Sequence, residues 1–162
     1  MHRCSSGGAD WFDKAGANGR REETVDNDQT DLPERILESV ADALIFADRS
    51  GTIRRWNRSS AALFGFNAEE ALGQSLDLII PEHLRAAHWR GFDAAMASGA
   101  LKLAGRPTLT RAQHKSGRKL YVELTFALVA SAGAPEGAVA MARDVTERVE
   151  KERAQAKSST AA

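Results

Sequence analysis

The clearest pattern along the chain is an alternation of apolar and polar side chains between residues 120 and 129. A period of two predicts a β-strand with one buried face. A turn-forming run at 114–117 and a second strand pattern at 108–113 precede it. A loop predicted over 131–137 leads to a last strand at 138–145. Because short turns connect these strands, we expect them to be antiparallel.

The first half of the chain mixes helical spacing with one hairpin. Asp31 is predicted to cap a helix with Pro33 in its first turn. An apolar run at 43–47, a turn at 48–51 and a run at 52–56 predict two paired strands. Residues 57–72 suit two short helices, because Gly65 interrupts them. With the strands above, this order predicts an α+β fold built on a five-stranded antiparallel sheet.

The longest predicted helix covers residues 82–98, after Pro81 and before Gly99. Its apolar positions share one face and include a histidine. These positions are Leu84, His88, Gly91, Phe92 and Ala95. A histidine on such a face is a candidate ligand, or a side chain that satisfies a buried hydrogen bond.

Composition narrows the class of protein. The 162 residues carry 22 basic and 22 acidic side chains, and a neutral chain argues against a nucleic-acid binder that neutralises phosphates. No apolar run is long enough to predict a membrane span, and the first residues do not resemble a signal peptide. A single cysteine, Cys4, fits a reducing compartment. We therefore expect a cytoplasmic protein.

Three regions are predicted. Residues 1–31 contain no Leu or Ile and an excess of acidic side chains, so they are expected to be a disordered leader, in which Trp11 and Phe12 are exposed or dock on a surface. Residues 32–148 form the domain. Residues 149–162 are expected to be a charged helical stub that frays into a disordered tail.

Four segments in order resemble the PAS family of sensory domains. The first is ALIFADRSGTI at 43–53, followed by Trp56 and Asn57, and the second is AALFGF at 61–66. HKSGRKLYVE at 114–123 is similar to the second hairpin of the family, and ARDVTER at 142–148 to its closing PAC motif. The resemblance implies a five-stranded antiparallel sheet with short helices on one face and a pocket between them.

The resemblance also implies a function. Such domains sense ligands, redox state or light, or pair with copies of themselves, and the closing motif usually leads into an output domain. Since this chain ends soon after that motif, we expect output through a homodimer or through a histidine kinase or regulator. In several relatives the outer face of the sheet carries the dimer. Here that face would include Tyr121, Glu123 and Thr125, and the alternative is that the same face is solvated.

Haem is the most testable ligand. In haem-binding oxygen sensors of the family, the histidine that binds iron follows a Pro-Glu pair, as His88 follows Pro81 and Glu82. These sensors also hold oxygen with an arginine on the next strand; Arg106 and Arg111 lie nearby, each aligning only after a two-residue slip. His88 is therefore the predicted metal ligand. The other residues predicted to line the cofactor pocket are Leu84, Phe92, Arg106, Arg111, Phe126 and Met141.

Two alternatives stay open. His88 fills a structural role in PAS domains without a cofactor, and the whole module then acts as a ligand-free adapter for dimerisation or protein docking. Side chains that fill the pocket would favour the adapter, whereas a void of about 300 Å³ or more would favour a ligand. The side chains to examine are Phe92, Leu101, Leu103, Phe126 and Met141. An enzyme is not expected, because no phosphate loop or nucleophile elbow occurs.

Overall fold

The computed structural model describes residues 27–102 and 105–160. The helices are α1 (Asn27–Ser39), α2 (Arg58–Phe64), α3 (Ala68–Ala71), α4 (Glu82–Ser98) and α5 (Thr146–Thr160), with a short 3₁₀ helix at Leu76–Leu78. The strands are β1 (Ala43–Asp48), β2 (Ile53–Trp56), β3 (Thr108–Gln113), β4 (Lys119–Ser131) and β5 (Ala134–Asp144). Cys4, Trp11, Phe12 and Leu103, and most of the predicted leader, lie outside the described residues.

The strands form one antiparallel sheet in the order β2-β1-β5-β4-β3. This arrangement confirms the predicted α+β fold with five antiparallel strands. The hairpin of β1 and β2 comes first in the chain, and β5 returns to lie between β1 and β4. β5, the last strand in the chain, is therefore the central strand of the sheet, and β2 and β3 are its edge strands.

Register assigns each side chain to one of two faces, because paired residues in an antiparallel sheet point to the same side. Ile45 pairs with Ala140, which pairs with Phe126. We call their side the inner face. Met141 pairs with Leu44 and Thr125 and points to the opposite side, which we call the outer face.

The core lies between the inner face and the helices that follow the first hairpin. Phe64 from α2, Ala71 from α3 and Ile79 join Ile53 and Leu120 in one buried cluster. The strict alternation at 120–129 fits this arrangement, since Leu120 and Val122 are almost fully buried. The even-numbered positions of β4 thus point inward, as their period of two predicted.

Two local predictions are wrong. The expected loop over 131–137 is instead the tight end of the hairpin between β4 and β5, where Ala132 and Gly133 both have positive φ (49° and 83°). This is the backbone that two-residue hairpin turns require. The first helix begins at Asn27, ahead of the predicted cap at Asp31, and Pro33 lies inside it.

The C-terminal helix begins at Thr146, three residues before the predicted helical stub at 149–162. Just before it, Asp144 accepts a hydrogen bond from the Thr146 amide at 2.8 Å. Val145 and Val149 are buried against the domain (9% and 5% exposed). From Glu150 to Ser159 every side chain is exposed. Within residues 27–102 and 105–160, all helices are too short or too polar to cross a membrane.

Candidate functional site

The first half of α4 is tied to the 3₁₀ helix before it. The Trp89 indole Nε1 donates to Asp77 Oδ1 at 2.9 Å, and Arg85 donates to the backbone carbonyls of Ile80 and Asp77 at 3.1 and 3.0 Å. The Trp89 ring also covers Gly51, where a Cβ atom would lie only 2.2 Å from the ring. These contacts fix the rotation of α4 relative to the first hairpin.

The second half of α4 approaches the sheet. Ala95 and Met96 are the buried residues of the helix, and α4 contacts β5. The helix ends at Gly99, whose left-handed backbone (φ 67°) lets its amide donate to the Ala95 carbonyl. The helix is thus held at both ends, and His88 lies between them.

His88 has a buried ring nitrogen that the protein does not satisfy. Its Nδ1 atom is inaccessible and has no hydrogen-bond partner among the described residues. The ring stacks on Phe92 (centroids 6.0 Å apart) and meets the edge of Trp89 at 5.0 Å. Burial lowers the His88 pKa from its ordinary value, and the charges of Asp77 and Asp93 oppose this only in part. The imidazole is therefore held neutral, with a nitrogen lone pair or N–H available.

The inner face of the sheet is incompletely covered on the side of β4 and β5. Ile45 on β1 is 3% exposed, but its neighbours in the same row, Ala140 and Phe126, are only partly buried. On α4, Leu84, His88 and Phe92 are also only partly buried. We call the region formed by these partly buried α4 residues and the inner face of β4 and β5 the α4 cleft. Its floor is formed by small side chains on β5, since Ala138 and Ala140 point inward.

The predicted site residues divide between the two faces of the sheet. Phe126 lies on the inner face, and Leu84 and Phe92 lie on α4, beside His88. Met141 lies on the outer face with Thr125, and Arg111 pairs with Tyr121 on that face and is exposed. Arg106 is exposed in the loop before β3.

The outer face at the start of β4 is occupied by α5. Arg148 forms an ion pair with Glu123 at 2.9 Å, and the guanidinium of Arg153 lies over the Tyr121 ring, 4.6 Å from its centroid. The Tyr121 amide donates to Thr146 Oγ1 at 3.0 Å. Tyr121 and Glu123, which were candidates for a dimer face or a solvated face, therefore contact α5 of the same chain.

Sequence reasoning missed how Trp89 and Asp77 hold α4. A tryptophan beside a histidine indicates only an aromatic face on the helix. No local sequence pattern indicates that Trp89 bonds to Asp77, twelve residues earlier. Asn57 was predicted as a helix cap, and it does accept from the Ser60 amide at 2.9 Å. It also accepts from the Leu44 amide at 2.9 Å, a contact that depends on the tertiary fold.

Two cavities lie away from His88. An open groove of about 650 Å³ follows the start of α5, between Arg118 and the segment from Asp144 to Glu150. A space of about 100 Å³ lies between α1 and the hairpin of β1 and β2, lined by Leu37, Leu44 and Trp56 among others. Trp56 itself is packed in the core, 4% exposed, and donates to the Phe66 carbonyl at 2.9 Å.

Comparison with known proteins assigns the family. Residues 37–150 match the family model of the PAS fold, and the chain belongs to the PAS family. The crystal structure of a PAS domain from Colwellia psychrerythraea superposes with a TM-score of 0.63 at 22% identity, covering 74% of this chain and 98% of that one. The four motifs and the sheet order thus agree with the family assignment.

Two curated relatives are much longer than this chain. The sensor protein FixL of Bradyrhizobium diazoefficiens is 26% identical over 112 residues, which are 69% of this chain and 22% of that protein. An uncharacterized protein of Azorhizobium caulinodans is 31% identical over 120 residues, which are 74% of this chain and 16% of that protein. The chain therefore spans about a fifth of these relatives.

Proposed function

We propose that this PAS domain is a sensory module that binds a small ligand or cofactor in the α4 cleft and signals through dimerisation or a partner protein. The buried, unpartnered Nδ1 atom of His88 carries this proposal. A buried polar atom without a partner costs about 1–3 kcal/mol of stability. A ligand that donates a hydrogen bond to this nitrogen, or a metal ion that binds to it, would remove that cost. The partly exposed Phe126 and Ala140 give such a ligand an apolar floor.

Haem is the ligand that can be tested most directly. A neutral imidazole in an aromatic, apolar setting is suited to bind haem iron, and Phe92 and Trp89 provide that setting. His88 would hold the iron, and Leu84, Phe92 and Phe126 would contact the macrocycle. Haem would supply an iron atom that can bind a small gas. Arg111 is exposed on the outer face of the sheet. Its side chain therefore points away from a ligand bound at His88.

The test is reconstitution with haem followed by absorption spectroscopy. We expect a Soret band of a histidine-ligated haem in the unchanged protein and its shift or loss in His88→Ala. His83→Ala is the matched control, because His83 is exposed on the same helix five residues earlier, and its spectrum should equal that of the unchanged protein. Identical spectra for His88→Ala and the unchanged protein would exclude His88 as the ligand.

The alternative is a ligand-free adapter. The two cavities of about 650 and 100 Å³ lie elsewhere in the molecule, and Phe92, Leu101 and Phe126 are partly buried without a ligand. Met141 cannot fill the cleft, since it lies on the outer face. An adapter would show no bound small molecule by native mass spectrometry and no effect of Phe126→Ala on pairing with its partner.

The partner of the module follows from the same proposal. A second copy, a histidine kinase or another regulator would bind the domain and respond to its ligand state. We place this interaction in the cytoplasm, a location that the single cysteine fits. FixL, a named sensor, carries the matching segment in about a fifth of its length. Co-purification of a kinase with the tagged chain, and its loss on truncation of α5, would support a separate output protein.

A further inference from the structure

β3 is an edge strand of the sheet, and part of its backbone has no partner. Within the described residues it pairs with β4 alone. The Gln113 amide points away from β4, since it donates to the Ile79 carbonyl at 2.9 Å. Alternate residues of a strand turn their N–H and C=O groups to the same side, so those of Leu109 and Arg111 also point away from β4. In the part of the chain that the structure describes, no hydrogen bond reaches these two residues from that side.

Both of these residues also have exposed side chains. Leu109 is 53% exposed, and Arg111 is exposed beside it on the outer face. The residues of β3 that point inward are better covered, since Thr110 is half-buried and Ala112 is buried. A strand added on this side would satisfy free backbone groups and cover an apolar side chain. We call the unpaired side of Leu109 and Arg111 the β3 edge.

Positive charge is concentrated around the β3 edge. Between Asp93 and Glu123 the sequence has six lysines and arginines and no aspartate or glutamate, although the chain as a whole is neutral. All six side chains are exposed: Lys102, Arg106, Arg111, Lys115, Arg118 and Lys119. Lys115 forms an ion pair with Glu70. The other five have no ion pair among residues 27–102 and 105–160.

Register brings two of these cations together. Arg111 and Lys119 are diagonal neighbours on the outer face of the β3–β4 pair, which corresponds to a separation of about 7–8 Å. The residue on the other diagonal, Glu123, already forms an ion pair with Arg148 at 2.9 Å. The two cations are therefore available to a carboxylate from outside this chain.

The free backbone and the charge together select one kind of partner. Amides and carbonyls along a strand edge are satisfied by another extended peptide backbone, which nucleic acid does not offer. The aromatic ring opposite Arg111, that of Tyr121, is covered by Arg153, so bases have no free ring to stack on there. The β3 edges of two copies carry the same charge and repel each other. An acidic, extended peptide meets both requirements.

We propose that the β3 edge binds an extended acidic segment of a partner protein, which adds to the sheet as a sixth strand beside β3. Every second side chain of the segment points to the outer face, where a carboxylate meets Arg111 and Lys119. The side chains between them lie beside Thr110 on the inner face, where threonine is a favourable neighbour. The proposal goes beyond the sensory function proposed above, because it does not depend on a ligand in the α4 cleft.

Fluorescence anisotropy with a short peptide tests the proposal. The probe is a fluorescein-labelled nine-residue peptide that alternates threonine and glutamate, and its control carries lysine in place of glutamate. We expect saturable binding of the glutamate peptide only, with an affinity that falls as salt rises. Arg111→Gln combined with Lys119→Gln should weaken binding about tenfold. Arg58→Gln is the matched control, because Arg58 is exposed on α2, which packs on β1 at the other side of the sheet.

Two substitutions of Leu109 separate strand addition from charge attraction alone. Proline removes the outward amide of this residue, which the sheet does not use, and edge strands tolerate proline at such positions. Leu109→Pro should therefore weaken peptide binding at least about tenfold, whereas Leu109→Ala keeps the amide and should retain most of the affinity. No binding by the unchanged protein, equal binding by the two variants, or equal binding of a single-stranded oligothymidylate would overturn the proposal.

Amide hydrogen exchange repeats the test in the unchanged protein. The peptide should slow exchange at Leu109 and Arg111, while Thr110 and Ala112, whose amides face β4, should change little. Slowing at all four amides, or at none, would contradict strand addition. The two proposals fail separately: peptide binding without any effect of His88→Ala on the haem spectrum contradicts only the ligand site, and the reverse result contradicts only the β3 edge.

Discussion

Replacing Asn57 by alanine tests how the first half of the domain is held together. This residue is 2% exposed, and its Oδ1 accepts from the amides of Leu44 and Ser60, each at 2.9 Å. Its Nδ2 lies 3.1–3.3 Å from the carbonyl oxygens of Leu37, Val40 and Asp42. One side chain thus joins the end of α1, the start of β1 and the start of α2.

The expected loss follows from those contacts. Removing a helix cap costs about 1 kcal/mol, and leaving the buried Leu44 amide without an acceptor costs about 1–3 kcal/mol. We therefore expect Asn57→Ala to lower the free energy of unfolding by about 3 kcal/mol. The carbonyls near Nδ2 add less, because the contacts are long and those groups are closer to solvent.

Urea unfolding followed by circular dichroism measures this loss. Asn67→Ala is the matched control, since Asn67 also caps a short helix, accepting from the Glu70 amide at 2.8 Å, but is exposed. It should cost about 1 kcal/mol, the value of a cap alone. Equal losses in the two variants would refute the argument that Asn57 joins three elements.

Four other changes test separate parts of the structure. Gly51→Ala should destabilise the domain by about 2–3 kcal/mol in urea, because its φ of 79° is unfavourable for alanine and the new Cβ would meet Trp89; Trp89→Leu in the same chain should recover part of the loss. Gly137→Ala should be at least as costly by thermal melting, since its Cβ would lie 2.1 Å from the Ala47 carbonyl oxygen in the adjacent strand. The lowered His88 pKa means that the unfolded chain binds this proton more readily, so stability should fall as pH drops through about 6.5, and His88→Phe should flatten that part of the stability profile. Asp48, with its pKa lowered to about 2 by bonds from Ser50 and Arg54, should lose its contribution between about pH 4 and 2; Asp48→Asn should show no such acid-dependent loss.

Much of the fold could be predicted because local patterns and tertiary packing agree. The alternation in β4 and the limits of α4 are direct consequences of one buried face and of Pro81 and Gly99. The turn at Ala132 and Gly133 was not predicted, because alanine seldom adopts a positive φ. The loop-forming residues over 131–137 also favoured a longer loop than the tight hairpin that forms. The start of α1 was placed late for a similar reason, since Pro33 normally marks a first turn.

The site was harder to predict than the fold. His88 could be singled out by helical spacing, but the face on which Arg111 and Met141 lie depends on strand register. Register is set by long-range pairing, and a shift of one residue moves a side chain to the other face. In the same way, the contacts of α5 with Tyr121 and Glu123 depend on where a terminal helix packs, which has little sequence signal.

Native mass spectrometry of the protein as purified, with an absorption spectrum of the same sample, tests most directly whether the space beside α4 is a binding site. Our account predicts a non-covalent adduct of one small molecule per chain, which His88→Ala reduces and His83→Ala leaves unchanged. A mass equal to that of the bare chain, unchanged after incubation with haem, would contradict it.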